Sequence, residues 1–128
     1  MSNENIELTK KGYEAFSTGD LQAALDLFDD AAEWTITGES TIGGTYRGKA
    51  EITELFTRLG EKATQVETKR FLADGDVVMV LTQVTVGAET ASEADVFELR
   101  DGKVVKAHSF GDTAMQERVF GSKRVAAG

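Results

Sequence analysis

Hydrophobic residues in the first half of the chain recur at the spacing of amphipathic helices. Tyr13 and Phe16 lie three positions apart in a segment, about residues 5–17, whose other positions are mostly charged or small. This spacing predicts a first helix that stops at Thr18-Gly19, and Asp20 is a suitable N-cap for a second. The apolar stripe of the second helix consists of Leu21, Ala24, Leu25 and Phe28. A third helix, which ends at Gly60, has the same pattern at Ile52, Leu55, Phe56 and Leu59.

Beyond residue 64 the hydrophobic period changes from that of a helix to the period of two that is typical of strands. In the first of the two clearest runs the alternate apolar positions are Val78, Val80, Val84 and Val86. In the second the alternate positions, expected to point inward, are Asp95, Phe97 and Leu99. Turn residues at 74–76 separate the Val78 run from an earlier run at about 64–73. Asp101-Gly102, a dipeptide preferred in two-residue primed turns, joins the Asp95 run to residues 104–110.

Two further short elements complete the predicted order. A short strand is expected at about residues 33–37, between the second and third helices, and a last helical turn near Asp112, which we expect to act as its N-cap. Thr113 and Gln116 also have the spacing of a capping box. Helices followed by strands indicate an α+β fold.

Composition fits one domain of 128 residues, 41% hydrophobic, without repeats, linkers, proline or cysteine. The net charge of -8 disfavours nucleic acid and anionic membranes as partners, and no apolar run reaches the roughly 18 residues that a membrane span needs. The amino terminus does not resemble an export signal, so a cytoplasmic location is expected. One histidine and no cysteine leave little for a metal site, so no metal is expected.

Several motifs, in their order and spacing, resemble those of the nuclear-transport-factor-2-like superfamily. They are residues 17–21, residues 27–31, Trp34, a loop at 43–48 before a helix, and a closing hairpin at 97–105. Within the superfamily the chain is most similar to SnoaL-like, ketosteroid-isomerase-related proteins. The resemblance covers about residues 5–120 of a single domain spanning 1–128, and 121–128 are expected to form a flexible tail.

The resemblance implies a cone in which a curved antiparallel sheet packs on three N-terminal helices around a deep apolar cavity. Relatives use this cavity as isomerases, cyclases, epoxide hydrolases or dehydratases, or for plain ligand or protein binding, so the fold alone does not fix the function. A small apolar molecule is the expected partner, and no cofactor is expected.

Asp95 is the main candidate for a catalytic residue. It precedes Phe97 on the face expected to point inward, which places a carboxyl group among apolar side chains. By resemblance it occupies the position at which ketosteroid isomerases keep a protonated acid that donates a hydrogen bond to the substrate oxyanion. Burial would raise its pKa and favour that role. A solvated carboxyl at the cavity mouth, or one bonded to the backbone, is the structural alternative.

Other parts of the isomerase site are replaced in this chain. By resemblance the catalytic base position falls on Ile36 and the oxyanion-hole tyrosine position on Gly12. Tyr13 is expected to contact a ligand but not to replace that tyrosine, because one residue rotates a side chain by about 100° around a helix. Steroid isomerisation by that mechanism is therefore not expected.

The last strand carries a second candidate pair. Related cyclases and epoxide hydrolases place an acid where this chain has Ser109, which needs another base to act as a proton acceptor. Ser109 and Asp95 are expected to share the inward face if neither strand bulges. His108 then points outward, because neighbours on a strand alternate, although its intrinsic pKa suits proton transfer near neutrality.

Aromatic residues complete the predicted site. Trp34, Tyr46 and Phe97 are expected to line the cavity, and Ile36 and Ser109 to contact a ligand there. The Tyr46 hydroxyl is expected to assist proton transfer together with His108. Core packing is the alternative for Trp34.

Three hypotheses for function follow. The first is an enzyme that transfers protons on an apolar carbonyl or enol compound, and the second is a module that binds a hydrophobic ligand without chemistry. The third concerns assembly, because Val96 and His108 on the outer sheet face are expected to form a homodimer interface.

Overall fold

The structure is a computed structural model that describes residues 2–123, with side chains from residue 4 onward. Within this range the chain forms four helices and six strands. In chain order these are α1 (Ser2–Thr18), α2 (Leu21–Asp26), β1 (Phe28–Ile36), β2 (Gly44–Arg47), α3 (Gly48–Glu61), β3 (Gln65–Asp74), β4 (Val77–Val86), β5 (Glu89–Arg100), β6 (Lys103–Phe110) and α4 (Thr113–Phe120). No helix of the described range is long and apolar enough to span a membrane.

The strands form one curled sheet in the order β2-β1-β6-β5-β4-β3. The predicted α+β class is confirmed. Neighbouring strands in the described range run antiparallel except β1 and β6, which are parallel, so the sheet is mixed rather than purely antiparallel. Buried residues of all three N-terminal helices and of the inner sheet face form a common core, which includes Ala15, Leu25 and Phe56.

The hairpin between β5 and β6 contains the predicted turn. Asp101 and Gly102 both have positive φ, 53° and 77°, as a type I′ turn requires. Arg100 pairs with Lys103 across the turn.

Two residue pairs beyond the turn, β6 bulges. Leu99 pairs with Val104 but Glu98 pairs with Lys106, so Val105 is an extra residue on β6 and the register shifts by one. An unbulged two-residue hairpin would set Asp95 opposite His108, whereas the shifted register sets it opposite Ser109. The expectation that Asp95 and Ser109 share a face was therefore correct, but its condition that neither strand bulges was wrong.

Two predicted element boundaries were also wrong. The second helix ends at Asp26, so Phe28 belongs to β1, where it is buried and its ring stacks on Trp34 at 5.5 Å. Residues 44–47, predicted as loop, form β2 and pair with residues 33–36. Both differences arise because pairing with another strand overrides the local pattern.

Part of the predicted C-terminal tail is held against the loop that precedes β2. The Gly121 carbonyl accepts a hydrogen bond from the Thr41 amide at 2.9 Å, and the Lys123 amide donates to the Glu39 carbonyl at 2.8 Å. The remaining residues of that prediction, 124–128, lie outside the described range.

Candidate active site

A cavity of about 110 Å³ lies between the helices and the inner face of the sheet. Most of the side chains lining it are apolar, and among the described lining residues none is Lys, Arg or His. Its polar side chains include Tyr13, Glu93, Asp95, Ser109 and Gln116. Acidic and hydroxyl groups therefore define its chemistry.

Asp95 is the centre of a hydrogen-bond network at the cavity wall. The Tyr13 hydroxyl donates to Asp95 Oδ2 at 2.5 Å, and the Ser109 hydroxyl donates to Asp95 Oδ1 at 2.7 Å. The Trp34 indole Nε1–H donates in turn to Ser109 Oγ at 2.9 Å. Both oxygens of the carboxyl group are thus engaged by donors from two different elements.

The local fold explains how these residues meet. Asp95 and Ser109 are direct cross-strand partners, and Ser109 also neighbours Ile36 of β1. Tyr13 enters from α1, where its ring packs edge-on against Phe97 at 5.9 Å. These contacts fix the position of the Tyr13 ring and the direction of its hydroxyl group.

Tyr13, rather than a side chain at position 12, reaches the Asp95 carboxyl group. A side chain at Gly12 would meet Leu27, since an added Cβ would lie 2.8 Å from Leu27 Cδ2. Tyr13, one residue on, faces the sheet and reaches Asp95. The 100° rotation separates these two directions, and the expectation that Tyr13 does not replace the oxyanion-hole tyrosine stays a prediction.

The network perturbs both of its titratable members. Burial raises the pKa of Asp95, while the hydrogen bonds from Tyr13 and Ser109 act in the opposite direction. Burial also raises the pKa of Tyr13 well above its ordinary value, and the charge of Asp95 adds to the effect. Tyr13 therefore stays a neutral donor at physiological pH.

Glu93 is a second acid in the cavity that the sequence reasoning missed. Burial, and then the charge of Asp95, raise the pKa of Glu93 to about 7, against an opposing hydrogen bond from Gln116. The Gln116 amide nitrogen lies 3.4 Å from Glu93 Oε2. A usable signal was present, because Glu93 lies two residues before Asp95 on the same strand and hence on the same face.

The structure does not bring His108 and Tyr46 into the cavity, which corrects their predicted catalytic roles. His108 lies on the opposite face of β6 from Ser109, where Nε2 is 3.0 Å from Thr37 Oγ1 and the ring stacks on Phe110 at 4.1 Å. The Tyr46 hydroxyl donates to the Ile42 carbonyl at 2.6 Å. Neither residue is among the described lining residues.

The remaining predicted positions are placed clearly. Trp34, Ile36 and Phe97 line the cavity, and Trp34 also packs in the aromatic core, edge-on to Phe56 at 5.6 Å.

Asp112 caps α4, because its Oδ1 accepts from the Met115 amide at 2.9 Å, so the Thr113–Gln116 capping box does not form. Within residues 2–123, no group of three or more potential ligand side chains could hold a metal ion.

Comparison with known proteins identifies the family. A profile of the SnoaL-like domain matches residues 10–107, so the chain belongs to the SnoaL-like domain family. No curated protein sequence matches it closely enough to count as a relative.

Solved structures agree in fold over nearly the whole chain. Bal32a, from a soil-derived mobile gene cassette, is 26% identical with a TM-score of 0.87, over 93% of this chain and 98% of that one. TerC, co-crystallised with polyporic acid, is 25% identical with a TM-score of 0.80, over 93% and 99%. A putative SnoaL-like polyketide cyclase from Jannaschia sp. CCS1 has a TM-score of 0.81 at 14% identity, over 94% of both chains, and so supports the fold alone.

Proposed function

We propose that this protein binds a small, mostly apolar carbonyl or enol compound in the cavity and transfers a proton on it, in the manner of an isomerase or cyclase. The observation that carries the proposal is Asp95, a carboxyl group in an apolar cavity with hydroxyl donors on both of its oxygens. Burying a carboxyl group among apolar side chains lowers the stability of the fold, so its presence here favours a role in chemistry.

The chemistry follows from the donors that the network offers. As a carbonyl oxygen gains negative charge during proton transfer, the Tyr13 hydroxyl or a protonated Asp95 donates a hydrogen bond to it. Ser109 of β6 donates to the Asp95 carboxyl group and keeps it oriented, and Trp34 of β1 holds Ser109 in place by donating to its hydroxyl oxygen. Such fixed donors act most strongly where water is excluded.

Size and charge define the class of ligand. Apolar cavities on the order of 150 Å³ accept benzene, so a cavity of about 110 Å³ suits a ligand of about one six-membered ring. The absence of cationic side chains from the described lining favours a neutral molecule over a phosphate or carboxylate. The co-crystallisation of TerC with polyporic acid supports ligand binding within this fold.

Cyclohexanone in D2O provides a direct test, because proton transfer exchanges its α-hydrogens for deuterium and NMR measures the rate. We expect the protein to raise the rate above that of buffer and Asp95→Asn to lower it by about tenfold or more. Ser92→Ala, an exposed position on the same strand, is the matched control. Equal rates for Asp95→Asn and the unchanged protein would contradict the proposal.

A second function, ligand binding without chemistry, is favoured by one specific observation. Tyr13, Ser109 and Trp34 all donate within the Asp95 network, so their donors are already used. Saturable binding of cyclohexanone, seen as NMR shift changes, with exchange no faster than in buffer would support this function instead.

We also propose that the outer sheet face forms a homodimer interface. Large apolar side chains are exposed there and lie in adjacent cross-strand rows, in an otherwise acidic protein, so an identical uncharged patch is a suitable cover. They are Leu72, Met79, Leu81 and Phe110. A monomer at micromolar concentration in sedimentation would exclude this assembly.

A further inference from the structure

Glu93 shares the cavity with Asp95 but takes no part in the Asp95 hydrogen-bond network. The two acids lie two residues apart on one face of β5, opposite Thr82 and Val80 of β4. Glu93 also lines a shallow depression on the protein surface, together with Lys69 and Phe110. Its carboxyl group therefore lies between the cavity and this depression, which is open to solvent in the monomer.

Gly111 makes room for this carboxyl group. An added Cβ at Gly111 would lie 2.4 Å from Glu93 Cδ, closer than any real contact, so a side chain there would displace the carboxyl group. The Gly111 backbone does not have a positive φ. The glycine is therefore needed for space at Glu93 and not for its own conformation.

Helix α4 holds Glu93 from the other side. The Gln116 amide nitrogen is 3.4 Å from Glu93 Oε2, and the backbone of Asp112 also provides a hydrogen bond to this carboxyl group. Gln116 is buried and lines the cavity, yet its Oε1 has no hydrogen-bond partner. An unpaired buried acceptor is costly, so this atom is a natural partner for a hydrogen-bond donor on a ligand.

From this geometry we infer that Glu93 is the base that removes a proton from the bound carbonyl compound and returns it to another atom of the same molecule. The inference rests on the proposed function and adds the proton acceptor that Ile36 does not supply. In the first step a C–H bond α to the carbonyl breaks, and Glu93 gains an O–H bond. The electron pair moves to the carbonyl oxygen, where the donors near Asp95 stabilise the enolate. Return of the proton restores Glu93.

Several charged or titratable groups surround Glu93 and set its response to pH. Burial, and then the charges of Asp95 on β5 and Asp112 ahead of α4, raise the pKa of Glu93, while hydrogen bonds from Gln116 and from the Asp112 backbone lower it. The neutral Tyr13 hydroxyl contributes no charge. Lys69 of β3 lines the surface side of the site. With the pKa of Glu93 at about 7, both protonation states are populated near neutral pH, as a reversible base requires.

Deuterium exchange into cyclohexanone, measured from pH 5 to 9, tests the inference. In the unchanged protein we expect the exchange rate to rise with a midpoint near pH 7, following ionisation of Glu93. Glu93→Gln should lower the rate at pH 8 by about 100-fold and remove the midpoint. Gly111→Ala should keep the fold and lower the rate less, because it moves the carboxyl group without removing it. Glu61→Gln, the same change at an exposed position near the end of α3, should match the unchanged protein.

The outcomes separate this inference from the proposed function. If Glu93→Gln retains the rate and the midpoint while Asp95→Asn loses activity, Glu93 is not the base and the proposed function stands. If the unchanged protein binds cyclohexanone, as NMR shift changes would report, but gives no exchange above buffer, both are overturned.

Discussion

Replacing Glu93 by glutamine should make the protein more stable at alkaline pH but not at acid pH. In the folded state burial, with the charge of Asp95, raises the pKa of Glu93 from 4.5 to about 7. A carboxyl group whose pKa is higher in the folded state binds its proton more tightly there than in the unfolded state. Its contribution to stability is therefore greatest at low pH and is lost as pH rises from about 4.5 to about 7.

The size of the effect follows from that interval. Each pH unit between the two pKa values corresponds to about 1.4 kcal/mol, so the interval from 4.5 to about 7 corresponds to at most about 3.5 kcal/mol. Because Glu93 is only half-buried, solvent screens part of this cost, and we expect about 2 kcal/mol. Glutamine keeps the shape of the side chain and carries no charge, so it avoids the cost at every pH.

Urea unfolding of the unchanged protein and of Glu93→Gln at pH 4, 5.5 and 8 measures this effect. The difference in the free energy of unfolding should increase by about 2 kcal/mol in favour of the variant between pH 4 and pH 8. Glu61→Gln, at an exposed position near the end of α3, is the control for the substitution itself. A difference that is constant across the three pH values would refute the reasoning.

Three further predictions concern other parts of the molecule. Tyr13→Phe removes one of the two hydrogen bonds that lower the pKa of Asp95, so this pKa should rise further, as a 13C NMR titration of the Asp95 carboxyl would record; an unchanged or lower value would count against the network. Gly102→Ala should lower the free energy of unfolding by about 1 kcal/mol in urea titrations, because alanine is strained at the φ of 77° found there. An unchanged urea midpoint of unfolding would show that alanine is not strained at this position. Phe110→Glu should shift sedimentation from dimer to monomer, and a dimer that persists would place the interface elsewhere.

Much of the fold could be predicted because its signals are local. The helical spacing of Ile52, Leu55 and Phe56, and the alternation along β4 and β5, report which face of each element is buried. Asp101-Gly102 adopts the left-handed conformations that this dipeptide favours in a tight turn. The inward direction of Asp95 followed from the same alternation.

The remaining features depend on how elements pair and pack with one another, which the pattern within a single segment does not report. The bulge at Val105 decides whether Ser109 or His108 faces Asp95, and nothing in the local pattern of β6 marks it. Residues 44–47 form a strand only because β1 lies beside them. The importance of Glu93 depends on burial and on helix α4, which returns from the far end of the chain.

A crystal structure of the protein soaked with cyclohexanone would test the central proposal most directly. We expect the ketone inside the cavity, with its carbonyl oxygen within about 3.2 Å of the Tyr13 hydroxyl or an Asp95 oxygen and an α-carbon facing Glu93. A ketone bound in the cavity with its carbonyl group directed away from Tyr13 and Asp95, or bound only outside the cavity, would contradict it.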